Sequence, residues 1–499
     1  MDKADVAHTE IISHPQLLSR APGDVELLRG TDTVLMPTPS PDPKDPLNLP
    51  PWRKWMLLIL VSGYSCTSIV LCSRMGPIFS VIQAQYPGEE TRTNDLLTYP
   101  TLFMGIGNLI SMPFALTIGR RPVFLASVAL FIVSGIWCTF AQSLSSHIAG
   151  RNIMALAAGQ SEALSPAIIQ EIFFLHERGT KLAWFIFIQN VSGGVFFVAS
   201  TYMVSAWGWR WWYGFFTIMN AVVFLLSISA DPESLVVTSA YGTVLDLERY
   251  GPRTWKQDLK LCVQKPEWIE IPVFYKHVLH GLCIPNILWL LLLNGAFLGV
   301  YIFQASTFST ILLAPPYSFP FTTLGAVQAG QIVSCVVFLP LLGYGSDLTI
   351  RALTKRNNGH YKPEVRLLVI AIPAIVGVVC GVIYGQAASY PERWNVSAIV
   401  VGFNASFFAF LGANIVGITY AVDSFPMRAA PFLVVICAGR GIMSFGLSYA
   451  TLPAVATLGY DMTMVVKMVI CAVLALGAVP MYFFGPRIRV MVASWVGAL

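Results

Sequence analysis

Twelve stretches of this sequence are long and apolar enough to cross a lipid bilayer, and that repetition rules out nearly every water-soluble architecture. A helix needs about 20 mostly apolar residues to traverse the hydrocarbon core. Inside lipid it must satisfy all its own backbone hydrogen bonds. The stretches lie near residues 55–73, 95–117, 122–141, 147–171, 180–204 and 210–230, and then near 284–308, 325–346, 366–386, 395–421, 431–453 and 463–484. Charged residues make up 11% of the chain, against about 25% in a typical soluble protein. So little charge leaves lipid as the solvent for most of the surface. The fold class expected is an all-α membrane protein of twelve transmembrane helices in two six-helix halves.

The spans divide into six, a polar connector and six. The organisation expected is a Pro-rich disordered tail over 1–51, a first half over 52–230, a connector over 231–280, a second half over 281–486 and a tail over 487–499. The first apolar run is too long for a signal-peptide core and reads as an uncleaved first span. Basic residues test the count. Arg120, Arg121, Arg178, Lys181, Arg351, Lys355, Arg356, Lys362, Arg366, Arg428, Arg487 and Arg489 fall on one face; Arg74, Arg92, Arg210 and Arg393 fall on the other. By the positive-inside rule both termini are cytoplasmic. The net charge of +5 is thus explained by loops, and no nucleic-acid partner is expected.

Most of the nine cysteines sit in apolar runs without CxxC or other metal-binding spacing, where free cysteine behaves as a small hydrophobe. No metal, cofactor or catalytic constellation is expected, so the chain does not read as an enzyme. The turn Gly119-Arg120-Arg121-Pro122 after the second span has a counterpart after the eighth, Gly343-Tyr344-Gly345-Ser346-Asp347 leading to Arg351. Internal repeats of this kind typify secondary transporters, whose sites lie between the halves near the midplane.

Further stretches strengthen the pattern: Trp52-Arg53-Lys54-Trp55, Gln170-Glu171-Ile172-Phe173-Phe174-Leu175-His176-Glu177-Arg178-Gly179, Trp207-Gly208-Trp209-Arg210-Trp211-Trp212, Pro363-Glu364-Val365-Arg366-Leu367 and Tyr420-Ala421-Val422-Asp423-Ser424-Phe425-Pro426. With these in order, the chain resembles the major facilitator superfamily, and within it the fungal branch grouped with drug:proton antiporters. The resemblance implies proton-coupled efflux at the plasma membrane. Two motifs depart from it. Leu116 stands where the loop motif usually has Asp, and Gly193-Gly194 lacks the proline of the antiporter motif in the fifth helix.

Ionisable residues inside spans are functional candidates by default. Arg151 and Glu162 are eleven residues apart, about three turns, and so share one face of the fourth helix. Pro166 removes a backbone hydrogen bond one turn on, so a kink is expected there. Desolvation in such a cleft favours the protonated carboxyl, making Glu162 the first candidate for proton coupling, against a structural carboxylate. Arg151 matches the arginine that the resemblance links to coupling, with snorkelling as the alternative. Arg440, deep in the eleventh helix, needs a partner; a substrate carboxylate or Asp423 would serve, or a static ion pair. Lys467 reads as a snorkelling residue. The amides and hydroxyl Gln189, Asn190, Asn294, Tyr301, Gln304, Gln328, Gln331, Asn404 and Asn414 are candidates for lining the substrate site, with helix–helix hydrogen bonding the alternative for each. Glu171, Arg178, Asp347, Arg351, Arg366 and Asp423 are expected to gate the cytoplasmic side. Trp52, Trp55, Trp207, Trp209, Trp211, Trp212 and Trp394 read as interfacial belts.

The expected function is alternating-access transport of a small organic molecule by a monomer, coupled to protons and directed outward. Proton-coupled uptake of a nutrient or organic cation, and a non-transporting sensor on the same scaffold, are the alternatives.

Overall fold

The computed structural model describes residues 28–29, 32–33, 47, 49–73, 75–173, 175–230, 268–356, 362–425 and 428–496. Most of the expected tail over 1–51 and most of the connector over 231–280 lie outside the described residues. Eleven described helical stretches are long and apolar enough to cross a membrane. They are Pro51–Gln85 (span one), Asp95–Thr117 (two), Arg120–Phe140 (three), Lys181–Trp207 (five), Trp209–Ile228 (six), Pro285–Leu313 (seven), Thr323–Ile350 (eight), Pro363–Ser389 (nine), Val396–Ser424 (ten), Ala429–Tyr449 (eleven) and Pro453–Val492 (twelve). Span four completes the set as two shorter helices, Leu144–Ala158 and Gln160–Ile172, meeting at Gly159. Twelve crossings therefore stand where the sequence puts them. The last helix runs on to Val496, past the boundary expected at 487. A two-residue strand pair, Leu28–Arg29 against Asp32–Thr33, is the one departure from helix among the described elements.

Small residues decide how closely the halves approach, because lipid offers no hydrophobic drive between helices and close packing takes its place. A Cβ on Gly105 of span two would lie 2.9 Å from the Ala438 carbonyl oxygen of span eleven, and one on Gly441 would lie 2.7 Å from that of Thr101. Spans five and eight meet likewise, with the Gly325 position 2.8 Å from the Val198 carbonyl oxygen. The Gly325 contact lies toward the face opposite the basic loops, and the Gly105 and Gly441 contacts lie near the middle of their spans. Spans three, six, nine and twelve turn Val133, Leu225, Ile375 and Val473 outward, exposed as lipid-facing residues are.

On the basic face one ion pair occurs twice, once per half. Arg120 at the start of span three grips Glu171 at the end of span four, through Nε at 3.1 Å to both carboxylate oxygens and a terminal nitrogen at 2.6 Å. Arg366, in the first turns of span nine, bonds Asp423 near the end of span ten at 2.7 Å. Spans three and four correspond to nine and ten under a six-helix repeat. Gly119 makes the first of these turns possible, with φ of 124° at the cap of span three, a conformation open to glycine. A second pair in the later half, Arg489 with Glu364 at 2.8 and 3.0 Å, is fully buried. The amphipathic helix Glu270–Cys283 lies on this same face, where the Tyr275 hydroxyl donates to the Leu109 carbonyl of span two at 3.0 Å. His277 of that helix contacts Arg428, and burial together with this cation holds the imidazole below its ordinary pKa.

Three expectations change at this level. Arg151 does not snorkel; it is wholly buried. Its guanidinium donates to the carbonyls of Leu96, Leu71 and Cys72 at 2.9, 3.0 and 3.0 Å, and to the Tyr213 hydroxyl at 2.7 Å. Spans one, two, four and six are thereby tied at one point. Lys467 is also buried, donating to the Leu447 carbonyl at 3.1 Å with its ammonium 4.1 Å from the Phe303 ring centre. Trp209 and Trp212 belong to the packed interior rather than an interfacial belt, and the Trp212 indole donates to Ser200 at 2.8 Å. Carbonyls hold Arg151 and Lys467 inside the bundle, Ser200 holds Trp212, and His147 stacks on Trp209 with ring centres 5.1 Å apart.

Arg151→Met removes every donor from three carbonyls, each costing ~1–3 kcal/mol when left buried and unmet. The variant should melt several degrees below the parent in detergent, and Arg151→Lys should recover part of that loss. Melting unchanged in Arg151→Met would show that the clamp carries no stability.

Candidate functional site

The site grows from the interruption of span four. Gly159 presses on span two, where a Cβ would come 2.8 Å from the Asn108 backbone nitrogen. The helix that restarts at Gln160 places Glu162 in its first turn. Gly159 keeps helical dihedrals, and the Glu162 N–H turns to the Gly159 carbonyl at 3.1 Å. Pro166, four residues on, has no N–H to give the Glu162 carbonyl. That carbonyl accepts instead from the Cys437 thiol of span eleven, with sulfur 3.9 Å away. Sequence thus makes both the backbone and the side chain of Glu162 look across to the other half.

Arg440 answers from that half. Its guanidinium bonds the Glu162 carboxylate at 2.7 Å, the guanidine side chain being 5% exposed and the carboxylate side chain 19%. The acid is thus the member of the pair that solvent reaches more easily. A second nitrogen donates to Asn414 Oδ1 of span ten at 2.5 Å, and the guanidinium lies 5.9 Å from the Phe410 ring centre. Its Nε is buried without a described partner. Asp423, offered by the sequence as a partner for Arg440, is taken by Arg366 instead.

Several predicted residues collect beside this pair. Phe410 is stacked on Tyr301 of span seven, 6.2 Å between centroids and 8° between planes. The Tyr301 hydroxyl accepts from Gln331 Nε2 of span eight at 3.2 Å, leaving Gln331 Oε1 buried and unmet. Asn294 of span seven lies against Gly417, its Nδ2 donating to the Leu290 carbonyl at 2.9 Å. Asn404 spends its amide nitrogen on the Val327 and Val400 carbonyls, a bond between spans eight and ten. Gln304 and Gln328 are buried; neither amide atom of Gln304 has a described partner, nor has Gln328 Oε1. On span five Asn190 turns back to the Ile186 carbonyl at 2.9 Å, and Gln189 is half-buried. Of the gating candidates, Glu171, Arg366 and Asp423 form ion pairs inside their own halves. The side chains of Arg178, Asp347 and Arg351 lie outside the described residues.

Sequence reasoning passed over Gln160, Ser161, Asn108, Cys437 and Phe410. Gln160 and Ser161 are fully buried with unmet polar atoms beside Glu162. The run Gln160-Ser161-Glu162 in the middle of a span was a signal for them; nothing in the sequence marked Cys437 or Phe410. His147 was missed as well. It joins Arg151 to Tyr86 through the hydroxyl of Tyr213, at 3.0 and 3.3 Å from its two ring nitrogens. Among the described residues no cluster of histidine, cysteine or acid side chains is placed to hold a metal ion.

The same helices and the same order of elements recur in known proteins. The model of the Major Facilitator Superfamily matches residues 56–432. An uncharacterised MFS-type transporter of Schizosaccharomyces pombe is 22% identical over 93% of this chain and 89% of its own. The efflux pump radE of Floropilus chiversii is 23% identical over 96% of this chain and 91% of its own. Among solved structures, a POT family transporter in complex with 5-aminolevulinic acid aligns at a TM-score of 0.61, with 12% identity, over 90% of this chain and 98% of that one. The proton:xylose symporter XylE aligns at 0.57, with 15% identity, over 87% of this chain and 95% of that one. The structures establish the fold and the family model the lineage: this chain belongs to the Major Facilitator Superfamily of membrane transporters.

Proposed function

We propose that this protein is a proton-coupled secondary carrier that exports a small organic molecule by alternating access, with both termini cytoplasmic in the plasma membrane. One observation carries the coupling: the Glu162–Arg440 ion pair joins the two halves. Two halves that rock about a central site must make and break what lies between them. A buried arginine deprived of its partner costs ~3–5 kcal/mol, because its charge is then uncompensated in a low dielectric. Protonating Glu162 removes that partner at a stroke. The proton thus loosens the link between the halves, which is what a coupling site has to do.

Glu162 is therefore the proton acceptor in this reading and Arg440 its counter-charge. Arg151, filled by carbonyls and Tyr213, fixes the helix that presents Glu162. The Arg120–Glu171 and Arg366–Asp423 pairs stiffen each half as a body. Asn414, Tyr301 and Gln331 line the substrate side, with Asn294, Asn404, Gln304 and Gln328 supporting spans seven, eight and ten. Gln189 and Asn190 stand across from them on span five. Export is the direction suggested by the name of the Floropilus chiversii relative.

Coupling is tested by comparing accumulation of candidate compounds in cells with and without the carrier, and with and without a proton uncoupler. The carrier-dependent difference should respond to the uncoupler, and should lose its pH dependence in Glu162→Gln. Transport in that variant with the parent's full pH dependence ends the proposal. For the rocking motion, Tyr99→Cys combined with Phe445→Cys, at positions whose rings lie 5.7 Å apart across spans two and eleven, should be bridged by a short bifunctional thiosulfonate that arrests transport until it is reduced. Undiminished transport by the bridged double variant would contradict it.

A further inference from the structure

The sign of the coupling depends on what replaces Glu162 on Arg440. We infer that the substrate is an aromatic organic acid whose carboxylate takes Arg440 over from Glu162, so that one acid anion and one proton load together. The inference rests on Glu162 being the proton acceptor.

Three observations point to this ligand. First, Arg440 is 4% exposed overall, and its Nε has no described partner although two other nitrogens are engaged. A guanidinium presents a planar fork of donors matched to a carboxylate. The unmet Nε and the nitrogen that Glu162 gives up together offer such a fork, while Asn414 holds the third nitrogen in place. Second, Phe410 ends a ladder of parallel rings. Tyr301 lies 6.2 Å from it at 8°, Phe403 a further 5.7 Å at 18°, and Phe308 a further 4.8 Å at 16°. The three inner rings are buried and Phe410 is half-buried. A flat ring laid on Phe410 continues the stack, since offset parallel packing suits aromatic quadrupoles. Third, Gln331 Oε1 is buried and unmet beside the Tyr301 hydroxyl, an acceptor for a phenolic or amino substituent on such a ring.

Charge then fixes the stoichiometry. An anion bound while Glu162 stays ionised sets two carboxylates around one guanidinium; a proton on Glu162 without the anion strands Arg440. Binding both restores one positive and one negative charge. The proton comes from water to the Glu162 carboxylate and no covalent bond forms. Among the described residues the ionisable groups that touch Glu162 are Arg440 and Cys437 of span eleven, so Arg440 is the charge that governs the exchange. A cationic substrate would instead sit next to Arg440 and compete with it for the same acid. Substrate and proton therefore move in the same direction, opposite to the antiport that the family branch implies. Export follows when the acid accumulates inside.

The full-length carrier, purified in detergent, is titrated with benzoate, 4-hydroxycinnamate and 1-naphthoate, each beside its methyl ester and the corresponding arylalkyl amine, near pH 6 and near pH 8. At least one acid should bind while its ester and amine do not, and more than about fivefold tighter at the lower pH, within the usual span of coupling between two sites. Glu162→Gln, which mimics the protonated acid, should bind that acid near pH 8 as tightly as the parent does near pH 6. Glu162→Asp should restore the pH dependence, which separates loss of the charge from loss of the fold. Arg440→Lys should weaken the acid at least about tenfold, the fork being lost. Binding of esters or amines as tight as that of the acids, or no binding of any of the three acids, overturns the inference. If that happens while Glu162→Gln still abolishes pH-dependent transport, the proton acceptor stands and only the substrate class falls. Acid-selective binding whose pH dependence survives in Glu162→Gln overturns both.

Discussion

Arg440 cannot stand alone. A guanidinium in a transmembrane helix, 4% exposed, has to be matched by negative charge and hydrogen-bond acceptors, or the helix carrying it will not settle in the bundle. In this protein the match comes from the other half of the molecule, from a carboxylate at the restart of a broken helix. Much of the central architecture is arranged around that meeting. Gly159 lets span four press on span two, Pro166 frees the Glu162 carbonyl for Cys437, and Gly441 and Gly105 bring spans eleven and two close enough for the pair to form.

Among the described residues the other ion pairs divide the work differently. Arg120–Glu171, Arg366–Asp423 and Arg489–Glu364 all stay inside one half. The Arg151 clamp does too, joining four helices of the first half through carbonyls and a tyrosine. Interactions within a half stiffen it, and those between halves can be exchanged. Two rigid bodies with few polar links between them suit a rocking carrier. A link whose charge a proton can cancel suits a coupled one.

The membrane class, the twelve crossings and the six-plus-six division were legible because hydropathy and basic loops report directly on lipid. The two residues at the centre, Glu162 and Arg440, were legible for the same reason: charge inside an apolar run stands out. Their partnership was not, because they are far apart in sequence and in different halves, and Asp423 looked as plausible a partner for Arg440. Lys467 looked like a snorkelling residue, and snorkelling stood open as the alternative for Arg151, because sequence shows depth along a helix but not which way a side chain turns. Trp209 and Trp212 were misplaced for the same reason. The basic-face repeat was partly legible: Gly119-Arg120-Arg121 pointed to the right loop. Its structural counterpart is the pairing of Arg366 with Asp423, which no local motif spells out.

Whether Glu162 and Arg440 act as one unit is measured most directly by a double-mutant cycle. Thermal stability of the purified parent is compared with Glu162→Gln, Arg440→Gln and the double variant. Each single change strands a polar or charged partner, so each should destabilise strongly. The double change should cost less than the sum of the two, with an interaction of ~1–3 kcal/mol, as expected for groups in one buried network. Strictly additive losses would mean that the two residues do not sense each other, and a proton on Glu162 would then have no means of loosening the two halves.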